Sequence, residues 1–307
     1  MAAYAIQRVL LVIPTLFFVA LITFVLAKAA PGNPFDRNEN RPLPPTTIER
    51  LNRQYGFDKP VHEQFVLFLG NAVRFDFGSS LTRDRDVRDI IGGEFPVSAQ
   101  LGVQALLLAL AIALPLGIIS ALKHNTAVDY GSLLFATAGT TIPSFVIAVF
   151  AIYFFAVKLH VLPVYGWGTV DKMVLPTVIL SLAPMAFLTR ITRASMLEAI
   201  RQDYVRTARA KGLGEQAVIV GHALKNAAIP VATVIGPFTA GLITGSFLIE
   251  TVFSVPGVGR EFVNSILGRD YPVIMAVFLL FAFIISIANL TVDLVYGLLD
   301  PRIKVGQ

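Results

Sequence analysis

Side chains that commonly carry out chemistry are few in this sequence and lie far apart. Cysteine is absent, which excludes disulfides and thiolate metal sites. None of the histidines forms an HExxH pair of metal ligands, because each stands on a separate segment: His62, His124, His160 and His222. The P-loop pattern GxxxxGKS or GxxxxGKT does not occur, so the chain is not expected to bind or hydrolyse ATP. We therefore predict a protein that is not an enzyme and has no metal or cofactor of its own.

Two glycine-rich stretches resemble phosphate-binding loops only superficially. Gly212-Leu213-Gly214 lacks the rest of a dinucleotide fingerprint and has no preceding strand, so it is interpreted as a turn. The stretch VPGVGR, residues 255–260, is likewise predicted to be a turn in a surface or re-entrant loop.

The composition indicates a protein that lies in lipid. Of 307 residues, 55% are hydrophobic and only 15% are charged, and the mean hydropathy is +0.70. These values lie outside the range of soluble globular domains. The net charge of +5 is modest and is explained better by the placement of loops than by nucleic-acid binding.

Apolar runs long enough to cross a bilayer core of about 30 Å recur along the chain. None of them contains a charged residue, and the fourth is short and carries Pro176 and Pro184. We therefore predict an all-α polytopic membrane protein with six transmembrane helices, at residues 9–27, 101–122, 130–157, 173–189, 227–249 and 272–292.

The distribution of basic residues predicts the orientation of these spans. Short cytoplasmic loops carry an excess of lysine and arginine, whereas long loops obey this rule weakly. Both termini are therefore predicted to be cytoplasmic and residues 31–98 to lie outside. The basic residues that fall inside with this orientation are Arg8, Lys123, Arg193, Arg201, Arg206, Arg209, Lys211, Lys225, Arg302 and Lys304.

The predicted outer segment, residues 31–98, has the pattern of a small helical cap. Thr47 is suited to cap a short helix that extends through Gln54, and Pro60 fits the first turn of a second helix. An apolar stripe on that second helix distinguishes the segment from a mere linker, which is the alternative. The stripe consists of Val61, Phe65, Phe68, Leu69, Ala72 and Val73.

A second polar segment, residues 203–230, stands between the fourth and fifth runs. Upstream of the glycines, one helix is predicted by the apolar spacing of Leu197, Ile200, Tyr204 and Ala208. The glycines then predict a turn, and a second short helix follows at residues 215–226. Small residues at the bend would let a partner's backbone approach closely. The alternative is a helix that lies on lipid headgroups.

At this segment the sequence resembles a known family. YVRTARAKGL followed by HALKNAAIP resembles the cytoplasmic EAA loop of ABC-transporter permeases, in the form of the peptide and nickel subfamily. Further similar phrases run along almost the whole chain in the same order, and together they are most similar to the B subunits of oligopeptide permeases. They include APGNPF, DFGSS, FPVSAQLG, ITRASMLEAIRQDY, IETVFSVPGVGREFV, RDYPV and VDLVYGLLDPRI.

The resemblance implies a type I ABC transporter permease fold in the bacterial inner membrane. It implies an N-terminal transmembrane helix at 1–30, an extracytoplasmic helical segment at 31–98, a transmembrane domain at 95–297 with the coupling loop at 193–228, and a tail at 298–307. The implied partners are a homologous second permease subunit, two cytoplasmic ATPase subunits that bind ATP and Mg, and an extracytoplasmic peptide-binding protein.

The coupling loop would contact the ATPase through a set of residues around the bend. Where the general family pattern has a glutamate, six residues before the glycine, this chain has Arg206, so a salt bridge from that glutamate cannot be transferred. The interface residues implied are Asp203, Arg206, Thr207, Ala208, Arg209, Ala210, Lys211, Gly212 and Gly214.

The implied activity is ATP-driven import of peptides, with oligopeptides as the expected substrate. Nickel, dipeptide and glutathione permeases share most of these phrases and remain alternatives. An ion-coupled carrier or a scaffold that does not transport is the alternative of another class, although the acids nearest the bilayer, Glu250 and Asp293, stand at span ends. Thr239, Thr244 and Ser246 could face the substrate pathway or hydrogen-bond within their helices.

Overall fold

A computed structural model describes residues 2–29, 58–83 and 85–299, and within these ranges the chain is helical and forms no strand. An isolated antiparallel bridge pairs Ser79 with Asp86. In chain order the helices are α1 (Ala2–Ala29), α2 (Val61–Val73), α3 (Val87–Leu122), α4 (Ala127–Thr141), α5 (Ser144–Ala151, continued by a π-helical stretch Ile152–Lys158), α6 (Val170–Ile200), α7 (Asp203–Ala210), α8 (Glu215–Val218, continued by a π-helical stretch Ile219–Ala223), α9 (Leu224–Ile243), α10 (Phe247–Val252), α11 (Val258–Leu267) and α12 (Tyr271–Leu299).

The predicted all-helical membrane architecture is confirmed, with changes in the bounds of the spans. Five helical stretches of the described chain are long and apolar enough to cross a bilayer. A sixth span results if the bent pair Ala127–Thr141 and Ser144–Lys158 crosses the bilayer as one unit. The five are Leu10–Ala29, Val87–Leu122, Val170–Ile200, Glu215–Val252 and Tyr271–Thr291. The fourth span is longer than predicted, since α6 has 31 residues and includes Pro176 and Pro184 without a break.

The predicted span at residues 130–157 is formed by a bent pair of helices rather than by one straight helix. The chain bends by 101° between Ala127–Thr141 and Ser144–Lys158. Pro143 at the bend has no N–H to continue the hydrogen bonding of α4, and it disfavours helical backbone at the residue before it. Ile142 accordingly has an extended conformation, with φ −82° and ψ 123°.

Helix α6 is the centre of the bundle, and α3, α4 and α9 pack against it. Two glycines of α3 let backbones come into direct contact. A Cβ atom on Gly117 would lie 2.8 Å from the Thr189 carbonyl oxygen of α6, and one on Gly102 would lie 2.3 Å from the Leu242 carbonyl oxygen of α9. Small residues at such crossings maximise van der Waals contact between helices in lipid.

The aromatic residues of α2 attach that helix to α1. The rings of Phe65 and Phe24 are 5.3 Å apart between centroids, and those of Phe68 and Phe24 are 6.1 Å apart. The predicted stripe on α2 is thus confirmed at its middle, but its end residues Val61 and Val73 are exposed. Pro60 precedes the first helical residue, and the short helix predicted near Thr47 lies outside the described residues.

The VPGVGR stretch wraps around a carboxylate of the chain itself. Glu250 is fully buried and accepts hydrogen bonds from the backbone N–H groups of Ser246, at 3.1 Å, and Arg260, at 3.0 Å. A Cβ atom on Gly257 would lie 2.4 Å from Glu250 Oε2, and one on Gly259 would lie 2.9 Å from it. Residues 255–257 therefore form a turn, as predicted, whereas residues 258–260 begin α11, and the glycines leave room for the Glu250 side chain.

Acidic side chains also fasten the loop between α2 and α3. Asp270 is fully buried and accepts hydrogen bonds from the backbone N–H groups of Leu81, at 3.1 Å, and Thr82, at 3.0 Å. The guanidinium of Arg83 pairs with Glu261 of α11 and, at 2.9 Å, with Glu94 of α3. Burial and the nearby carboxylates of Glu94 and Asp270 raise the pKa of Glu261 to about 7, against the opposing effect of Arg83.

Replacement of Gly257 by alanine is expected to destabilise the protein, because the added methyl group would overlap the buried Glu250 carboxylate. Overpacking of this kind costs about 1–3 kcal/mol. Thermal unfolding in detergent measures the effect, with Gly131→Ala as the matched control. Gly131 lies inside α4 with no atom near its Cβ position, so alanine there should leave the melting temperature unchanged or raise it. Equal melting temperatures for the two variants would contradict the packing described.

The raised pKa of Glu261 predicts a pH-dependent stability. Folding retains a proton that an unfolded glutamate loses near pH 4.5, so the free energy of unfolding should fall as the pH rises from about 4.5 to about 7. The slope is at most about 1.4 kcal/mol per pH unit. Thermal unfolding between pH 5 and pH 7.5 measures this dependence. Glu261→Gln, which cannot titrate, should flatten it, and an unchanged slope in that variant would rule out Glu261 as the source.

Candidate functional site

The polar segment after α6 begins with a break that the sequence pattern did not predict. The backbone N–H groups of Arg201 and Gln202 bond to the carbonyls of Glu198 and Ala199, at 3.2 Å each, and end α6. Gln202 is extended, with ψ 153°, and α7 starts at Asp203. The prediction of one continuous helix through residue 208 is therefore wrong.

The break changes which side chains of α7 face inward. Tyr204, predicted to lie on the apolar face, is 38% exposed, whereas Val205 and Ala208 are buried. They pack with Val218 in a cluster that joins α7 and α8 to the ends of α3, α6 and α9. The other buried members are Ala121, Met196, Ala199, Ala223 and Ala227.

The buried position of Ala208 agrees with its place on the predicted apolar face, but it differs from the surface position implied for an interface residue. Its side chain is only 4% exposed, so it supports α7 from within and is not available for contact with a partner. The small residue is needed because the interior cluster is closely packed. A bulky substitution at Ala208 would test this internal packing rather than an interface.

A Schellman motif closes α7. The N–H of Gly212 bonds to the carbonyl of Arg209 at 2.9 Å, and the N–H of Leu213 bonds to the carbonyl of Ala208 at 3.4 Å. Gly212 has φ +79°, a left-handed conformation that favours glycine. Gly214 has φ −61° and no atom near its Cβ position, so this site does not require glycine.

An ion pair bridges the turn from one helix to the other. Arg209 contacts the Glu215 carboxylate with two nitrogen atoms, Nη2 at 2.6 Å from Oε1 and Nε at 3.1 Å from Oε2. The paired carboxylate raises the pKa of the Arg209 guanidinium above its usual value. Sequence reasoning missed Glu215, and the available signal was an opposite charge six residues after Arg209 across a glycine turn.

The outward face of the segment is exposed and rich in cations. Arg206 is 77% exposed and lies 3.7 Å from the Asp203 carboxylate, a surface pair too solvated to hold the side chain firmly. The predicted interface residues that the structure exposes together are Asp203, Arg206, Thr207, Arg209, Ala210, Lys211, Gly212 and Gly214. This exposed helix–turn–helix is the candidate surface for a protein partner.

A buried carboxylate at the start of α4 joins that helix to α3 and α6, close to the polar segment. Asp129, which is 1% exposed, accepts hydrogen bonds from the Ser120 hydroxyl at 2.6 Å, from the Asn125 N–H at 2.9 Å and from Arg193 Nη2 at 2.8 Å. His124 Nδ1 lies 3.2 Å from the same carboxylate. Sequence reasoning missed Asp129, although an acid at the start of an apolar run was a usable signal.

The three predicted pathway residues bond within their own helices. Thr239 donates to the Ile235 carbonyl at 2.7 Å, and Thr244 donates to the Ala240 carbonyl at 3.1 Å. The Ser246 hydroxyl oxygen accepts from the Ile249 N–H at 3.3 Å and caps α10. These side chains thus hydrogen-bond to nearby backbone, which was the alternative to a position in the substrate pathway. Their role in that pathway stays a prediction.

Comparison with known families assigns the chain. The family described as "Binding-protein-dependent transport system inner membrane component" matches residues 113–305, and its N-terminal counterpart matches residues 1–102. The chain belongs to this family. It is thus a transport subunit of the inner membrane, as predicted, and not an enzyme.

Named relatives cover the full length of the chain. It is 44% identical to the dipeptide transport system permease protein DppB of Bacillus subtilis over 99% of both chains. It is 42% identical to the oligopeptide transport system permease protein OppB of Salmonella typhimurium over 99% of this chain and 100% of the relative. The resemblance to peptide permeases is therefore confirmed.

Two solved structures show the fold. An inward-facing structure of the methionine ABC transporter MetNI matches 69% of this chain and 96% of its own, with a TM-score of 0.58 and 16% identity. A structure of an amino acid ABC transporter matches 70% of this chain and 94% of its own, with a TM-score of 0.50 and 15% identity. The type I ABC permease fold is thus confirmed.

The two glycines of the turn give a matched pair of variants. Gly212→Ala should loosen the end of α7, because alanine in the left-handed region costs about 1–2 kcal/mol, whereas Gly214→Ala should have no effect. Hydrogen exchange of the backbone amides of residues 207–213 measures the difference. Equal protection in the two variants would show that the Schellman motif does not stabilise the turn.

Proposed function

We propose that this chain forms half of the translocation pathway of an ATP-driven importer for peptides, with oligopeptides as the expected substrate. The observation that carries the proposal is the full-length similarity to subunits named as peptide permeases, at 38–44% identity. The motifs of the coupling loop and of the flanking segments, which most resemble those of oligopeptide permeases, support the choice of longer peptides.

The exposed helix–turn–helix, α7 and α8, is the proposed contact with the ATPase subunits. It faces the cytoplasm in the orientation that the basic loops favour, with both termini inside. ATP and Mg bind in those partner subunits, and this chain supplies a rigid surface. The proposed contacts are Asp203, Arg206, Thr207, Arg209, Ala210, Lys211, Gly212 and Gly214, while Ala208 supports them from behind.

The charge of this surface defines the kind of groove that would accept it. Arg206 replaces the glutamate of the general pattern, and Lys211 adds a second exposed cation. A groove lined by carboxylates would complement these charges, increase the rate of assembly and make it sensitive to salt. We therefore propose an acidic docking groove on the ATPase subunit.

Motion of the docked segment would reach the spans through one buried cluster and would pass between the spans through an ion pair. The cluster around Val205, Ala208 and Val218 joins α7 and α8 to the ends of α3, α6 and α9. The Asp129–Arg193 pair joins the turn between α3 and α4 to α6. Because a buried ion pair is costly to separate, these helix ends would move together in alternating access.

The opposite end of the bundle is the proposed docking surface for a peptide-binding protein outside the membrane. The loop before α3 is fastened through Arg83 to α3 and α11, and through Asp270 to the start of α12. Glu250 fixes the turn between α10 and α11 in the same way. These internal bonds give loops at this end a defined shape, which a rigid partner requires.

An ion-coupled carrier, the alternative class of transporter, would need an acidic residue within the spans that can bind and release a proton or an ion. Asp129 and Glu250, the fully buried acids of the described spans, each bind internal donors that hold the structure together. Family membership and these contacts therefore favour ATP-driven transport over ion coupling.

Reconstitution tests the proposed function. The chain is incorporated in proteoliposomes with its second permease, the ATPase subunits and the binding protein, and uptake of labelled peptides is measured. Pentaalanine uptake that requires ATP is the expected result, and dialanine, glutathione and nickel are compared in the same vesicles. Uptake by this chain alone or without ATP would contradict the proposal.

Bulky substitutions on the outward face should uncouple transport without unfolding the protein. Thr207→Trp and Ala210→Trp place an indole on an exposed surface, so the chain should insert normally while docking weakens. We expect ATP-dependent uptake to fall by about tenfold or more, equivalent to about 1.4 kcal/mol of docking energy. Leu134→Trp, at a 72% exposed position of α4 away from this segment, is the control. Wild-type uptake in both α7 variants would exclude α7 as the contact.

A further inference from the structure

Two glutamine side chains stand one helical turn apart on α3. Gln100 is exposed and Gln104 is half-buried. Their Nε2 atoms lie 4.0 Å and 3.7 Å from the Met173 sulfur atom of α6, a weak acceptor. The Oε1 atom of Gln104 accepts a hydrogen bond from the Thr177 hydroxyl at 3.2 Å. Each amide therefore keeps donor capacity that no strong acceptor among the described residues uses.

The surroundings of this pair exclude contact with lipid tails as a stable arrangement. Gln100 lies in an apolar helix between Val103, which is 41% exposed, and the half-buried Val97. A carboxamide that faces hydrocarbon loses its hydrogen bonds to water, which is unfavourable. The face of α3 that carries Gln100 must therefore adjoin water or polar groups of another molecule.

The pair lies close to the end of the bundle that we propose to face outward. Ser98 lies two residues before Gln100. Its hydroxyl oxygen accepts a hydrogen bond at 2.9 Å from the N–H of Val258, the first residue of α11, next to Glu250. Two residues after it, Gly102 touches the Leu242 backbone near the end of α9. An incoming substrate would meet Gln100 first and Gln104 one turn deeper.

The spacing of the two amides matches a peptide main chain. Side chains at i and i+4 of a helix have Cβ atoms about 5–6 Å apart. Carbonyl groups on one side of an extended chain recur every second residue, about 6.8 Å apart, and the flexible glutamine side chains can span the difference. Because main-chain groups are common to all peptides, such contacts would be independent of sequence.

We propose that Gln100 and Gln104, with Met173 and Thr177 behind them, bind the main chain of an extended peptide at the outer mouth of the pathway. This inference rests on the proposed peptide transport and adds the residues that contact substrate. Thr177 binds the oxygen of Gln104, and the NH₂ group, which faces the weak acceptor Met173, keeps an N–H for the ligand. The Met173 thioether gives a soft, adaptable surface for varied peptide side chains.

The natural absence of cysteine makes the site open to a direct test. In the assembled transporter with its binding protein, Gln100→Cys and Gln104→Cys are treated with a charged methanethiosulfonate reagent. The labelled chain is then isolated, so thiols on other subunits do not interfere. Both positions should react, and saturating trialanine should slow the reaction about tenfold. Leu134→Cys, on α4, should show no protection by peptide.

A second measurement separates substrate contact from a structural role. In the Gln100→Leu/Gln104→Leu double variant, ATP hydrolysis stimulated by the empty binding protein should remain, while peptide transported per ATP falls. The matched Gln100→Asn/Gln104→Asn variant keeps the amide donors and should retain part of this ratio. An unchanged ratio in the leucine variant would overturn the proposal.

The remaining outcomes are also decisive. Cysteines that react only when the second permease is left out would assign this face to the contact between subunits and overturn the proposal. Lack of protection in a transporter that takes up peptide would overturn this site alone. A wild-type transporter that takes up no peptide would instead overturn the proposed function.

Discussion

Close to the C-terminal ends of α3 and α6, Gly117 brings the backbone of α3 against Thr189 and Thr192 of α6, where even a methyl group would overlap. The rest of the structure depends on this close approach. It places Asp129 of the adjoining helix within reach of Arg193, and it places the ends of α3 and α6 beside each other, where α7 packs. Lipid tails offer no hydrophobic gain for helix association, so shape at such crossings and a few polar bonds determine the packing.

The polar bonds in this protein follow one rule at both ends of the bundle. A buried carboxylate accepts hydrogen bonds from backbone N–H groups of loops and helix starts. Asp129 and Glu250 bind N–H groups close to them in sequence, whereas Asp270 binds the distant loop at Leu81. Each carboxylate satisfies N–H groups that would otherwise be unpaired where the chain leaves a helix. The loops that we propose to meet partners are therefore held by the same kind of interaction that terminates the spans.

The sequence predicted most of the helices because apolar runs in lipid must satisfy their backbone internally, and this requirement leaves few alternatives. It did not predict the break at Gln202, because the apolar pattern continues through that residue, and the apolar run at 130–157 did not show that the chain turns by 101° at Pro143. Pro176 and Pro184, with the same local chemistry as Pro143, remain inside α6. Packing against neighbouring helices decides between these outcomes. For the candidate site, the turn at Gly212 was predictable from its glycine. The inward position of Ala208 agrees with its apolar spacing. The exposure of Tyr204 was not predictable, because the break at Gln202 changes the register of α7.

The Arg209–Glu215 pair has an evolutionary consequence. It and the Schellman motif hold the shape of the bend, while the buried cluster holds its position, so neither task falls on Thr207, Ala210 or Lys211. Those surface residues are free to vary without loss of folding. A gene duplication could thus acquire a new ATPase partner by a few substitutions on one exposed face. In the same way, related transporters in one cell could each bind only their own ATPase subunits, with their membrane architecture unchanged.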